Sequence, residues 1–259
     1  MNTRPLKGKT ALITGASRLN GIGAAACLQL AQKGANIFFT TWGTYDNQTY
    51  KENHQSDPTI LVKKLEGLGV ETAFMEIDLA DPKQFPDLFH QVEQKIGQPS
   101  ILVNNACFSE HHPWKETTSE MLDKHYTVNL RATTLLSVEF AKRLKGTDGS
   151  IIHLTSGQSK GPMIGELAYA ATKGAIEALT VTMAAELGSK GIRVNAVNPG
   201  PTDTGWMTED LKKALLPKFP LGRVGKPEDA ARLIAFLASP EAEWITGQVI
   251  HSEGGFLRQ

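Results

Sequence analysis

Three residues have the types and spacing for shared acid–base chemistry: Ser156, Tyr169 and Lys173. On a helix, Tyr169 and Lys173 lie four residues apart and so share a face, one turn from each other. An unperturbed tyrosine titrates near pH ~10 and is a poor proton donor or acceptor at neutrality. A neighbouring ammonium favours the phenolate and moves the hydroxyl toward usable range. An overlapping set offers different chemistry. Gly157-Gln158-Ser159-Lys160-Gly161 matches the G-x-S-x-G nucleophile turn of serine esterases, and Asp203 and His251 follow in the required order. That turn needs a helix directly after its serine. Here Gly161-Pro162 and Gly165 intervene, and the helix is expected only near Leu167. The seven histidines show no metal-type spacing, so no metal site is expected.

The first set needs a strand to present its serine and a helix to carry its tyrosine. The run Ser150–Thr155 is apolar and β-branched and reads as a buried strand, which places Ser156 at a C-terminal strand end. Ligands of open α/β sheets bind at such ends. At the other end of the chain, Thr10–Thr14 reads as a strand running into Gly15-Ala16-Ser17-Arg18-Leu19-Asn20-Gly21-Ile22-Gly23, and an alanine-rich helix follows. Glycines let the backbone approach a pyrophosphate, and a helix N-terminus offers free N–H groups. This strand–turn–helix is the context a dinucleotide fingerprint requires. It also gives Tyr169 and Lys173 a partner that the esterase reading would leave unused.

Apolar and helical segments alternate along the chain. Strands are expected near 10–14, 36–41, 70–77, 100–104, 150–155, 192–198 and 248–251, with helices near 21–33, 59–68, 82–96, 117–145, 167–188, 208–216 and 227–238. The pattern predicts a Rossmann-type, doubly wound parallel α/β sheet of seven strands in a single domain over 1–259. The polar stretch 43–58 reads as the longest loop. With 41% hydrophobic residues, the 259-residue chain can bury a sizeable core. Lys+Arg and Asp+Glu balance at 27 each, which argues against nucleic acid or an anionic membrane as partner. Two cysteines without metal spacing suggest reduced thiols. The first strand begins by Thr10, and no run is long and apolar enough for a membrane helix, so a cytoplasmic enzyme is expected.

Together, these motifs resemble the short-chain dehydrogenase/reductase family over nearly the whole length. Asp78-Leu79, Asn104-Asn105-Ala106, Asn129, Asn198-Pro199-Gly200 followed by Thr204, and Ile245-Thr246-Gly247-Gln248 complete the set. The resemblance implies a nicotinamide-dependent oxidoreductase reducing a carbonyl to a secondary alcohol, or the reverse. In that reading Tyr169 exchanges a proton with the substrate oxygen, and Lys173 lowers its pKa and binds the nicotinamide ribose. Ser156 stabilises developing oxyanion charge, and Asn129 holds a proton-relay water. Gly15, Ser17, Arg18, Gly21, Ile22, Gly23, Thr41, Asp78, Leu79, Asn105, Pro199, Gly200, Thr202 and Thr204 would line the cofactor with Tyr169 and Lys173. A helix-capping role rivals adenine contact for Asp78.

The spacing of Tyr169 and Lys173 is similar to that of carbonyl reductases rather than enoyl reductases. Within that branch the chain looks like 3-oxoacyl-(acyl-carrier-protein) reductases, with a sugar, steroid or small-alcohol dehydrogenase as the alternative. Lys190, Lys212, Lys213 and Lys218 could receive an acidic carrier protein. Arg18 in the glycine turn, with no carboxylate in Phe38-Phe39-Thr40-Thr41-Trp42, points to NADP(H) over NAD(H); Asp46 is the counter-indication. A substrate lid is expected over about 201–220, with Trp206, Met207, Leu211, Leu215, Leu216 and Phe219 as its apolar face. The resemblance implies a homotetramer assembled through helices 117–145 and 167–188. Two departures stand out. Five residues separate Gly15 from Gly21 where the family pattern has three, and Cys107 follows Asn104-Asn105-Ala106 where glycine is usual.

Overall fold

The computed structural model describes residues 4–49 and 54–258. Seven strands form one parallel sheet: β1 (Thr10–Ile13), β2 (Asn36–Thr41), β3 (Thr72–Glu76), β4 (Ile101–Asn104), β5 (Gly149–Leu154), β6 (Ile192–Asn198) and β7 (Val249–His251). Their order across the sheet is β3-β2-β1-β4-β5-β6-β7. The order reverses at β1, which pairs with β2 on one side and β4 on the other. A ligand crevice opens at such a reversal, beyond the C-terminal ends of the strands.

Alternating side chains along each strand leave the sheet on opposite faces, so each buried strand feeds two cores. Ala11, Ile13, Ile37, Phe39, Ile101, Val103 and Ile152 pack beneath α1 (Ile22–Gln32), part of α3 (Asp57–Glu66) and α9 (Pro227–Leu237). Leu12, Phe38, Leu102, Ile151 and Val194 face the other way, against α4 (Phe85–Ile96), α6 (Thr133–Arg143) and α7 (Leu167–Leu187). This is the doubly wound arrangement expected from the alternation of strand and helix signals.

Two elements depart from expectation. The stretch 43–58 is not a continuous loop: Gly43–Thr49 forms α2 and Asp57 opens α3, while positions 50–53 lie outside the described residues. No apolar stripe betrays α2. It is held instead by polar contacts of Tyr45 and Asp46. The expected helix 117–145 is interrupted. After α5 (Ser119–His125), capped by the Thr118 hydroxyl, residues Tyr126–Ala132 form a π-helical segment before α6. Such wide turns concentrate at functional sites, and this one carries Asn129. Beyond β6, α8 spans Glu209–Leu215, capped by Thr208.

Candidate active site

A single cleft of about 1310 Å³ crosses the C-terminal edge of the sheet, and it is lined by all the residues expected to bind cofactor, from Gly15 to Thr204. Its floor at the glycine turn is tight. A Cβ on Gly15, whose φ is +71°, would meet Ala106 Cα at 2.7 Å, and one on Gly23 would meet the Gly15 carbonyl oxygen at 2.4 Å. These two positions therefore need glycine. Asn105 pins the turn, donating from Nδ2 to the carbonyls of Thr14 (2.9 Å) and Gly15 (2.8 Å). Thr14 Oγ1 in return accepts from the backbone N–H groups of Asn105 and Ala106, at 3.0 Å each. At the start of α1, Gly21 offers no side-chain cap. The N–H groups of the first turn thus face the cleft with a positive dipole end, where a pyrophosphate fits.

The longer glycine turn and the 43–58 stretch meet each other. Arg18 Nε pairs with Asp46 Oδ1 at 3.2 Å, and its Nη1 donates to the Thr204 carbonyl at 2.7 Å. Leu19 N–H donates to Asp57 Oδ2 at 3.0 Å, and the same oxygen sits 3.0 Å from His54 Nδ1. Ser17 Oγ accepts from the N–H of Trp42 at 3.0 Å. The extra residues of the turn are thus moored to the 43–58 stretch. Arg18 spans from α2 to the loop after β6.

At the other end, α7 presents Tyr169 and Lys173 on one face, as the spacing predicts. Lys173 is buried, donates from Nζ to the Leu154 carbonyl at 2.7 Å, and lies 5.6 Å over the Tyr169 ring centroid. Ser156 lines the same cleft as Tyr169 and rests its hydroxyl 3.8 Å from Met163 Sδ. Burial pushes the Tyr169 phenol above its ordinary value. Cys107 and Glu166 act in the same direction, and the Ser156 hydrogen bond opposes them. Burial outweighs the lowering expected from Lys173, whose ammonium is bound to a backbone carbonyl. Tyr169 is consequently a protonated phenol at neutral pH, suited to donate. Behind it, His153 bonds Ser137 and Thr180 (3.2 and 2.9 Å); burial, with the Lys173 charge, pushes it down to about 3, so it is neutral.

Asn129 does not join this group in the cleft. On its π turn its Oδ1 accepts from Phe108 N–H at 2.7 Å, while Nδ2 donates to the Phe108 carbonyl (2.9 Å) and Thr172 Oγ1 (3.2 Å). The side chain clamps the 105–109 loop to α7. Thr202 lines the cleft, but its hydroxyl is turned into its own loop, donating to the carbonyls of Pro199 and Gly200 at 3.1 and 3.3 Å. Asp78 Oδ1 accepts from Ala80 N–H at 2.8 Å, closing its own turn, and the helical cap beyond belongs to Asp81. Both Asp78 and Leu79 line the cleft.

Only part of the apolar face expected of a lid over 201–220 reaches the cleft. Trp206, Met207 and Lys218 line the cleft, whereas Leu211, Leu215 and Leu216 do not, and Phe219 packs on Phe256 with ring centroids 5.0 Å apart. The four lysines form no single patch. Lys212 is paired with Asp203 and Glu209, and Lys190 borders Leu144 and Ile192, by the N-terminal end of β6. The esterase constellation is dispersed: Ser159 donates to Glu177 at 3.1 Å, His251 bonds Asn198, and Asp203 bonds Lys212. Sequence reasoning missed Phe256 and Arg258, which reach the cleft from the C-terminal segment, as well as Met163 and Glu166. Cys107, standing where glycine is usual, is half-buried on the cleft with Tyr169 and Lys173; desolvation raises its pKa despite the ammonium. Among the described residues no cluster of His, Cys, Asp or Glu could hold a metal ion, and no helix is long and apolar enough to cross a membrane.

Fold and site agree with what the chain is similar to. A family model described as Enoyl-(Acyl carrier protein) reductase matches residues 15–257. The chain is 51% identical over 253 residues to the uncharacterized oxidoreductase YjdA of Bacillus subtilis, covering 96% of this chain and 97% of that protein. It is 37% identical to the 3-oxoacyl-(acyl-carrier-protein) reductase FabG of Thermotoga maritima, covering 97% and 99%. A blue fluorescent protein from a metagenomic library, solved in complex with NADPH, superposes with a TM-score of 0.86 at 33% identity, covering 97% and 99%. A dehydrogenase/reductase of Sinorhizobium meliloti superposes at 0.87 with 31% identity, covering 98% and 97%. The chain belongs to the short-chain dehydrogenase/reductase family, and it is an oxidoreductase.

Proposed function

We propose that this enzyme reduces a ketone to a secondary alcohol, or runs the reverse reaction, using NADP(H). The observation that carries the reading is the placement of Ser156 and Tyr169 together on the cleft, with the Lys173 ammonium 5.6 Å from the tyrosine ring centroid. A bound nicotinamide dinucleotide would supply the hydride chemistry, and the glycine turn with the N-terminus of α1 would hold its pyrophosphate. Tyr169 gives its proton to the substrate oxygen, while Ser156 donates a hydrogen bond to the same oxygen as charge develops there. Lys173 stabilises the phenolate left behind. Asn129 holds the Phe108 loop that forms one wall.

NADP(H) is supported by Arg18 in the glycine turn, whose guanidinium can receive a 2′-phosphate, and by the NADPH bound to the metagenomic relative. The Asp46 partner of Arg18 favours NAD(H) instead, because a carboxylate there repels a phosphate and accepts from a ribose hydroxyl. Similarity to 3-oxoacyl-(acyl-carrier-protein) reductases supports a 3-oxoacyl thioester as substrate; a sugar, steroid or small alcohol is the alternative. A homotetramer fits the exposed apolar side chains of Leu122, Tyr126, Leu135, Leu167 and Val181 on and between α5, α6 and α7. The test is a titration with NADPH and NADH followed by acetoacetyl thioester and simple ketones. Turnover of a ketone with NADPH supports the reading; no turnover of any carbonyl with either cofactor ends it.

A further inference from the structure

Gly157 and Gly161 have no hydrolytic role, but both lie close against the Arg258 side chain. A Cβ on Gly157 would stand 2.4 Å from Arg258 Nη2, and one on Gly161 would stand 2.9 Å from Arg258 Cδ. The arginine side chain therefore lies along the turn that carries Ser156. It is itself fixed. Nη1 donates to Glu253 Oε1 at 3.0 Å and Nη2 to Glu253 Oε2 at 2.5 Å, and the guanidinium lies 5.4 Å over the Phe256 ring. Glu253 Oε2 also accepts from Asn198 Nδ2, the last residue of β6, at 2.9 Å. Burial pushes the Glu253 carboxyl up, but Arg258 and Asn198 outweigh it and hold it below the usual carboxylate range. Gly200 completes the chain. A Cβ there would meet Glu253 Cβ at 2.4 Å, and Gly200 N–H donates to Asn198 Oδ1 at 2.9 Å.

The structure assigns Arg258 a positioning role: with Glu253 it clamps the Ser156 turn to the Asn198–Gly200 loop, so that the serine hydroxyl meets the Tyr169 phenol. This rests on the carbonyl reading above. A bidentate guanidinium–carboxylate pair fixes a plane, which a lysine ammonium does not. The far end of the same turn is anchored separately, by Gln158 and Ser159 on Glu177 at 2.7 and 3.1 Å. On the Ser156 side, the serine's contact to Met163 is a weak one at 3.8 Å. Arg258 supplies the rigid backing there.

The test compares Arg258→Met, Arg258→Lys and Glu253→Gln in ketone reduction, with thermal melting to confirm folding. Arg258→Met should lower kcat by about 10²-fold, the scale of misplacing a catalytic group by an ångström, with cofactor affinity unchanged. The alkaline limb of the rate should also move to higher pH. Ser156 is the group that lowers the tyrosine's pKa, whereas Cys107, Glu166 and Lys173 keep their places around it. Arg258→Lys keeps the charge and the stem and should recover little; Glu253→Gln should fall between. Unchanged kcat and pH profile in Arg258→Met, full recovery in Arg258→Lys, or a loss matched by weaker cofactor binding with the limb unmoved would each overturn the proposal. If the wild type reduces no carbonyl, it is the functional reading that fails. The crystal structure of Arg258→Met then decides: Ser156 displaced from Tyr169 supports the clamp, and Ser156 in place contradicts it.

Discussion

The two ends of the cleft are built differently. Around Ser156, Tyr169 and Lys173, periodic elements do the positioning: a fully buried strand, one face of a long helix, and a lysine tied to a backbone carbonyl. At the glycine-turn end, positions are set by polar contacts between the turn and the short helical stretch that follows β2, Arg18 with Asp46 and the Leu19 N–H with Asp57. Packed elements fix chemistry with little freedom, whereas cross-loop polar contacts can be exchanged without disturbing the core. Changes at the first end should strike turnover, and changes at the second should strike cofactor choice.

The largest effect should come from Lys173→Met. It removes the cation beneath the tyrosine and should lower kcat by about 10³-fold, within the span of general acid–base contributions. Steady-state kinetics at saturating cofactor would measure it; a loss confined to KM would blur the division between the two ends. Ser156→Ala removes one donor to the developing oxyanion and should cost about 10²-fold in kcat, with cofactor affinity by fluorescence titration unchanged.

Asp46→Asn tests the other end. Freeing Arg18 from its carboxylate should raise the NADPH-to-NADH preference in kcat/KM by about tenfold, equivalent to ~1.4 kcal/mol, and leave kcat with saturating cofactor alone. A fall in kcat instead would show that Arg18, through Thr204, reaches into the chemistry. The smallest effect is on pH. Because burial raises the Tyr169 pKa above its ordinary value, the phenol keeps its proton through neutrality. Reduction should therefore show no tyrosine-dependent decline below pH ~10, whereas oxidation, which needs the phenolate, should still be rising there. A reduction limb near neutrality would mean that the Lys173 charge outweighs burial.

The same contrast explains what was legible in the sequence. The strands, α1, α7 and the Tyr169–Lys173 face announce themselves through apolar periodicity and glycine punctuation. So do Gly15 and Gly23, whose glycines leave no space for a side chain. Helix α2 has no apolar stripe to read and stays hidden, as does the mooring of the glycine turn to it. Asn129 was legible as a functional position but not as a clamp, because a π turn moves a side chain off the expected helical face. Arg258 was invisible for another reason: its partners Gly157 and Glu253 meet it only through the tertiary fold.

The most direct test of the central claim, proton transfer by Tyr169 to a carbonyl, is the rate of NADPH oxidation on a ketone by Tyr169→Phe beside the wild type. The hydroxyl alone is removed, so the ring stays packed over Lys173 and the cofactor should bind as before. The account predicts a loss of at least about 10²-fold in kcat with unchanged cofactor affinity; near wild-type turnover by Tyr169→Phe would contradict it.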